Sequence, residues 1–462
     1  MLVPSSFQTT NLQTLLSTLK TYIEVNVLKL IIFILLIALP IQYGFAQDLI
    51  ETHQLALANN PDLKSAYLNK HSTFEFRSQS IAQMLPNISL SGSSARQRLN
   101  NKKNTFQLSG TQNYWNHSFT LNFKQPIFNW GHWVQLNQSE NRIAQSDAQY
   151  QATYQELIVQ TTEAYFNILA AEDNLEFSIA EKKAIGKQLE QATQRFKVGL
   201  IAITDVHEAQ AGFDQSIANE IEAANLLDDS KESLREIIGE NEAKLTSLQE
   251  NIPMNLPEPA DIKSWSESAE KNNFTIIAQL NQAEVARKEV NLKRSSHLPT
   301  IDLVGNYGVQ DNTSNFGLRG DTQSIGLEFN LPIFEGGGTH SRAKQAQFNY
   351  QREKEGLTKV KRTVTRQVRN AYRDVISSLS RVKALFATVK SSESALEATE
   401  AGFEVGTRTM VDILTEQRNL YRSMRDYSRS RYDYLINGIK LKEAAGSLSE
   451  TDLQEINQYL TH

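Results

Sequence analysis

Two stretches about 207 residues apart set the narrowest limits on what this chain can become. The first is RFKVGLIAITDVHEAQ, Arg195 to Gln210, and the second is GFEVGTRTMVDILTEQ, Gly402 to Gln417. Phe196 matches Phe403, Gly199 matches Gly406, and Asp205 matches Asp412. Each stretch closes a long run without proline, one from about His132 to Lys197 and one from about Thr339 to Phe403. At 1.5 Å per residue, about 66 residues make a helix of about 100 Å. No single globular domain needs that length. The first run places small and mixed residues at its core steps (Ala164, Ile168, Ala171, Leu175, Ile179). That favours close packing of several helices over a leucine-zipper pair.

The pattern around these runs is also doubled. A helical segment from Asp48 to Met84, broken at Asn59-Asn60-Pro61-Asp62, ends at Leu85-Pro86. Its echo breaks at Asn272-Asn273-Phe274 and ends at Leu298-Pro299. Period-two alternation follows in both halves. Ile88 and Leu90, then Phe119, Leu121 and Phe123, alternate with polar residues; so do Ile325, Leu327, Phe329 and Leu331. Strands with one apolar and one polar face fit either a half-buried hairpin or a membrane β-barrel. The outer loops are expected at about 97–117 and 309–323. Pro126-Ile127-Phe128 and Pro332-Ile333-Phe334 close the hairpins. Gly336-Gly337-Gly338 lacks the Lys-Ser/Thr of a phosphate loop and reads as a strand-to-helix turn. Thr204 and Asp205 stand where they would cap the helix that runs to Ile238. The expected organisation is a leader over 1–46, a first repeat over 47–239, a linker with Pro253, Pro257 and Pro259 over 240–262, a second repeat over 263–446, and a C-terminal segment over 447–462.

The leader rests on Leu30 to Ile41, an apolar run after Lys29 and before small residues ending at Ala46. It is too short to span a bilayer and reads as a secretory signal. Residues 1–28 are long and polar for such a signal and read as an extension from an upstream start. A net charge of -5 gives no overall attraction to nucleic acid. The chain has no cysteine, which excludes disulfides, thiolate zinc sites and thiol nucleophiles. No catalytic constellation, cofactor motif or clustered metal ligands stand out, so the chain reads as a non-enzyme without a cofactor.

Four membrane strands cannot close a barrel, because the smallest single-chain barrels use about eight. Open edges are not tolerated in lipid, so chains would have to pool strands. Three copies would supply twelve, with the long helices continuing as a tube. The fold class expected is therefore mixed α and β: a long-helix coiled-coil barrel, a small membrane β-barrel built from two hairpins per chain, two internal repeats, and a trimer.

The two turn motifs, the hairpin ends KQPIF and NLPIFEGG, and RYDYLINGIKLKEAAGSLSETDL resemble the TolC family of outer-membrane channel proteins over about residues 47–460. The resemblance implies a homotrimeric exit duct in the outer membrane, reaching through the periplasm. Its partners would be a periplasmic adaptor, an inner-membrane transporter and outer-membrane lipid. Its periplasmic entrance would open on docking. It implies a constriction lined by Asp412, whose second acidic position falls on Thr415, with Glu416 beside it. It also implies a latch in which Arg408 pairs with Thr204, within or between chains, and Asp205 meets the aromatic position held by Phe403. Phe403 stands where the family usually has Tyr, so that hydroxyl bond cannot form.

Each of these residues also has a plainer reading. Asp412 alone fits a helix N-cap, and Arg408 a solvated surface arginine. The basic run Arg342, Lys344, Arg352, Lys354, Lys359, Lys361, Arg362, Arg366, Arg369 and Arg373 reads as a solvated helix face. The alternative for the whole chain is a trimeric surface stalk or adhesin, or a periplasmic coiled-coil protein without conduction. The short expected outer loops favour a duct.

Overall fold

The computed structural model describes residues 46–105, 108–240, 244–314 and 317–461. The leader expected over Leu30 to Ile41 lies outside the described residues. No described helix is long and apolar enough to cross a membrane. Ala46, Gln47 and Lys244 belong to one unit, in which the Gln47 N–H donates to the Lys244 carbonyl at 2.7 Å. The described residues from Asp48 to 240 and from Leu245 to 461 belong to a second compact unit, which carries every element named below.

Its elements come twice in one order. Helices α1 (Leu49–Asn59) and α2 (Pro61–Ala82) lead to strands β1 (Asn87–Thr105) and β2 (Leu108–Phe128), then to α3 (Trp130–Lys197) and α4 (Ile203–Ile238). Helices α5 (Ile262–Asn272) and α6 (Phe274–Ser295) lead to β3 (Thr300–Asn312) and β4 (Arg319–Asn330), then to α7 (Gly338–Glu404) and α8 (Met410–Ala444). A short α9 (Glu450–Asn457) ends the chain. The asparagines read as interruptions are caps. Asn60 accepts from the Leu63 N–H at 2.9 Å, with Pro61 opening α2. Asn273 accepts from the Thr275 N–H at 3.0 Å at the start of α6.

The strands form one antiparallel sheet in the order β1-β2-β3-β4. Register explains its two faces. Ile88 lies opposite Phe123, Leu90 opposite Leu121, Phe119 opposite Val309, and Ile301 opposite Phe329. Directly opposed residues share a face, so the alternating apolar residues of all four strands collect on one side. That side is exposed, with Leu90 at 73% and Ile325 at 78%. The other face carries Ser89, Asn122 and Asn306, and Lys124 pairs with Asp302 across it at 2.8 Å. Pairing continues well past the apolar rows. Arg98 meets Asn113 and Val309 meets Asp321, inside the stretches expected as loops. The outer loops are therefore shorter than 97–117 and 309–323. Hydrogen bonding of the backbone ladder does not require apolar side chains, so strand length outruns the greasy band.

Helix packing is centred on α3. Tyr165 and Phe166 are fully buried with Leu157, Ile158 and Leu169, against Leu234 of α4 and Tyr432 and Leu435 of α8. Residues of the proline-bearing connection join this core: Leu245, Leu248 and Ile252 are buried, and Leu248 bridges to Leu460. The α3–α8 contact is partly polar. Glu181, 2% exposed, pairs with Arg425 at 2.9 Å. Asp173 accepts from the Tyr432 hydroxyl at 2.8 Å and from Ser428.

Candidate functional site at the paired helix turns

Both conspicuous turns are built by the same local device. At the end of α3, Gly199 takes φ +76°. Its N–H donates to the Phe196 carbonyl at 2.9 Å, and the Leu200 N–H reaches the Arg195 carbonyl at 2.9 Å. At the end of α7, Gly406 takes φ +79°. Its N–H donates to Phe403 at 3.1 Å, and the Thr407 N–H to Gly402 at 2.8 Å. This paired bonding satisfies the last helix carbonyls and needs a left-handed residue, which only glycine supplies cheaply. Nothing lies within 4 Å of a Cβ built at either glycine, so conformation and not space accounts for them.

The helices that follow start differently. Thr409 caps α8: its hydroxyl accepts from the Asp412 N–H at 3.2 Å, and Asp412 accepts from the Thr409 N–H at 2.8 Å. This reciprocal box places Asp412 three residues inside the helix, not at its cap. The Thr409 N–H, the Thr409 hydroxyl and then Arg408 hold the Asp412 carboxyl below the ordinary carboxylate value. Helix α4 starts at Ala202 with no side-chain cap. The expected capping by Thr204 and Asp205 is therefore corrected. Both lie inside the first turn, at its second and third helical positions, while the cap position itself is held by Ala202, which has no side-chain acceptor.

The two turns are brought together by an apolar cluster. Ile185 and Ala192 of α3, Ala209 of α4, and Met410 and Leu414 of α8 are buried together, with Leu189, Ile201, Val206, Phe213 and Phe403 packed around them. Phe403 also lies under Arg195, whose guanidinium is 5.1 Å from the ring centre. Thr415 turns its hydroxyl back to the Val411 carbonyl at 2.7 Å, and Glu416 accepts from Asn419 at 3.4 Å. Arg408 is exposed, and among the described residues no hydrogen bond or ion pair joins it to Thr204 or Asp205 within the protomer. Val198, Leu200 and Val405 stand exposed at the turn tips.

The cluster was not singled out from sequence, although its signal is present. Ile185, Leu189 and Ala192, and then Val206, Ala209 and Phe213, recur at helical spacing. Nothing local says that these rows meet Leu414, more than 200 residues away in the chain.

The profile of the outer membrane efflux protein family matches residues 52–240 and 265–447. The chain is 38% identical over 418 residues to the outer membrane protein TolC of Vibrio cholerae, covering 89% of this chain and 94% of that protein. It is 35% identical over 429 residues to the outer membrane protein TolC of Escherichia coli, covering 90% and 85%. In structure it is similar to the Campylobacter jejuni CmeC outer membrane channel, with a TM-score of 0.77, 18% identity, and coverage of 89% of this chain and 90% of that one.

Proposed function

Because the chain belongs to the outer membrane efflux protein family, we propose that three copies assemble into a passive exit duct through the outer membrane and periplasm. The duct takes cargo from an inner-membrane transporter and its periplasmic adaptor. It is a conduit and not an enzyme. The family places the protein in the outer membrane.

The observation that carries the assembly is the open four-stranded sheet. Its order leaves one edge of β1 and one edge of β4 without a strand partner among the described residues. One of its faces is an exposed apolar surface. Such a sheet cannot stand alone in lipid, where each unpaired backbone group costs several kcal/mol. Joining the β4 edge of one copy to the β1 edge of the next removes every edge, and three copies give a closed barrel of a size that membranes accommodate. The two matches of the family profile support dividing the chain into repeats over 47–239 and 263–446.

At the other end, the paired turns form the periplasmic gate. Asp412 stays ionised at neutral pH because its bonds favour the charged form. Three copies make a carboxylate ring at the constriction, with Glu416 close by and Thr415 in place of a second acid. A narrow aqueous ring of this kind favours cations. The latch runs between protomers: Arg408, which makes no hydrogen bond to Thr204 of its own chain among the described residues, reaches Thr204 of a neighbour, and Asp205 meets the position held by Phe403. Phe403 contributes packing against Arg195 and the shared cluster, not a hydroxyl bond.

Purified protein in planar bilayers tests this directly. Small, cation-selective conductance is expected, raised several-fold in Arg408→Ser; no conductance at all would sink the duct. Asp412→Ala is expected to weaken block by multivalent cations added on the periplasmic side. Equal block in variant and parent would remove Asp412 from the constriction.

A further inference from the structure

The basic run on α7 has a complement elsewhere in the same chain. Lys359, Arg362, Arg366, Arg369 and Arg373 step by three and four, and all are exposed. They lie opposite Val364, Val368 and Val375, through which α7 packs on its own protomer. Among the described residues, Lys359, Arg362, Arg366 and Arg369 make no ion pair, and Arg373 only donates to Asn370, at 2.5 Å. On α4, Asp229, Glu232 and Glu236 also step by three and four and are exposed. They lie opposite Ala223, Leu227 and Leu234, its packing face. Glu232 has one partner on its own helix, Arg235; the carboxylates of Asp229 and Glu236 make no ion pair or hydrogen bond among the described residues.

Position in the fold puts the two rows at opposite ends of one protomer. Helix α3 packs on α4 and on α8, and α8 packs on α7, so α4 and α7 terminate a row of four. The shared apolar cluster holds the two turns at one level. Counted from those turns at 1.5 Å per residue, Arg373 and Arg369 stand about 46 and 52 Å along α7. Glu232 and Glu236 stand about 44 and 50 Å along α4 on the same count. The levels match in antiparallel order.

We propose that the occupant of the α7 face is a second copy of this chain, docked through α4, with Arg373 against Glu232 and Arg369 against Glu236. This inference rests on the trimeric reading above. Its content is new to that reading: a charged seam between α7 and α4 that sets the level at which neighbouring protomers join. Complementary charge across an interface fixes register and rejects misaligned partners more than it adds affinity. A sheet alone can slip by two residues and keep its apolar face. A seam about 45–50 Å from the turns would make such slips mismatch two ion pairs per interface.

The absence of cysteine makes the test clean, since every thiol is an introduced one. Full-length Arg369→Cys with Glu236→Cys, and Arg373→Cys with Glu232→Cys, are treated with a short bifunctional maleimide, because Arg–Glu partners lie too far apart for a disulfide. Mass in detergent is measured alongside. Most of the protein is expected to shift to covalent trimer on denaturing gels, whereas the mislevelled pair Arg369→Cys with Asp214→Cys stays monomeric. A trimer by mass without cross-linking of the level pairs overturns the seam and leaves the trimeric duct standing. A monomer by mass overturns both. Charge reversal gives a second arm. Glu232→Lys with Glu236→Lys should lower the fraction of trimer at moderate salt, and adding Arg369→Glu with Arg373→Glu should restore it. Failure of the reversed set to restore assembly counts against the seam.

Discussion

The two turns end their long helices identically and begin the next ones in opposite ways. Gly199 and Gly406 share a left-handed conformation and the same pair of backbone bonds. Beyond them, α8 is started by its own residues, Thr409 and Asp412, whereas α4 is started without any side-chain cap. The second turn therefore carries its stability locally. The first depends on what packs against it, namely Ile201, Val206 and Ala209 against Leu414 and Met410. In the gate proposed above, this inequality would let one helix pair move as a preformed unit while the other keeps its shape only as long as the cluster is intact.

That contrast can be broken most severely at Leu414, which is 1% exposed. Leu414→Ala is expected to cost about 2–5 kcal/mol. It should loosen the distant Gly199 turn as well as the Gly406 turn. Hydrogen exchange at both turns checks this, and loosening confined to Gly406 would show that the cluster does not couple them. A smaller effect separates the starts of the two helices. Thr409→Ala is expected to cost about 1 kcal/mol through the lost cap, while Thr204→Ala stays within about 0.5 kcal/mol, as expected of a residue without a capping role. Chemical denaturation of the two variants compares them, and equal losses would erase the distinction. The smallest effect is one of pH. Asp412 has a depressed carboxyl, so its contribution is present above the ordinary value of 3.8 and is lost as pH falls through the lower folded value. Exchange protection at the start of α8 should fall below about pH 4 in the parent. In Asp412→Asn it should fall less, with the start of α4 unaffected in either.

Much of the molecule is legible in the residues because its signals are local. Bounds of the four long helices follow from proline-free periodicity and a glycine that must turn left-handed. The two-faced strands follow from alternation. The turn motifs themselves are specific enough to point to the family. Loop lengths are less legible, since polar stretches around Arg98 and Asp321 still pair as strands once a partner ladder is beside them. The cap of α4 is misleading for a similar reason. Thr204 and Asp205 have the right chemistry, but the cap position falls on Ala202, between Ile201 and Val206, which pack on the cluster.

What the residue order determined by itself, then, is a set of elements: two-faced strands, very long helices, and two turns marked by glycine and aspartate. Each depends on neighbours within a few positions, where backbone sterics and hydrogen-bond reach decide the outcome. Only the tertiary structure decided which elements meet. It set Ile185 against Leu414, Arg195 over Phe403, and Arg425 beside the buried Glu181. These pairs lie some 200 residues or more apart in sequence. Their meeting depends on burial shared across helices, a free energy that no single stretch carries.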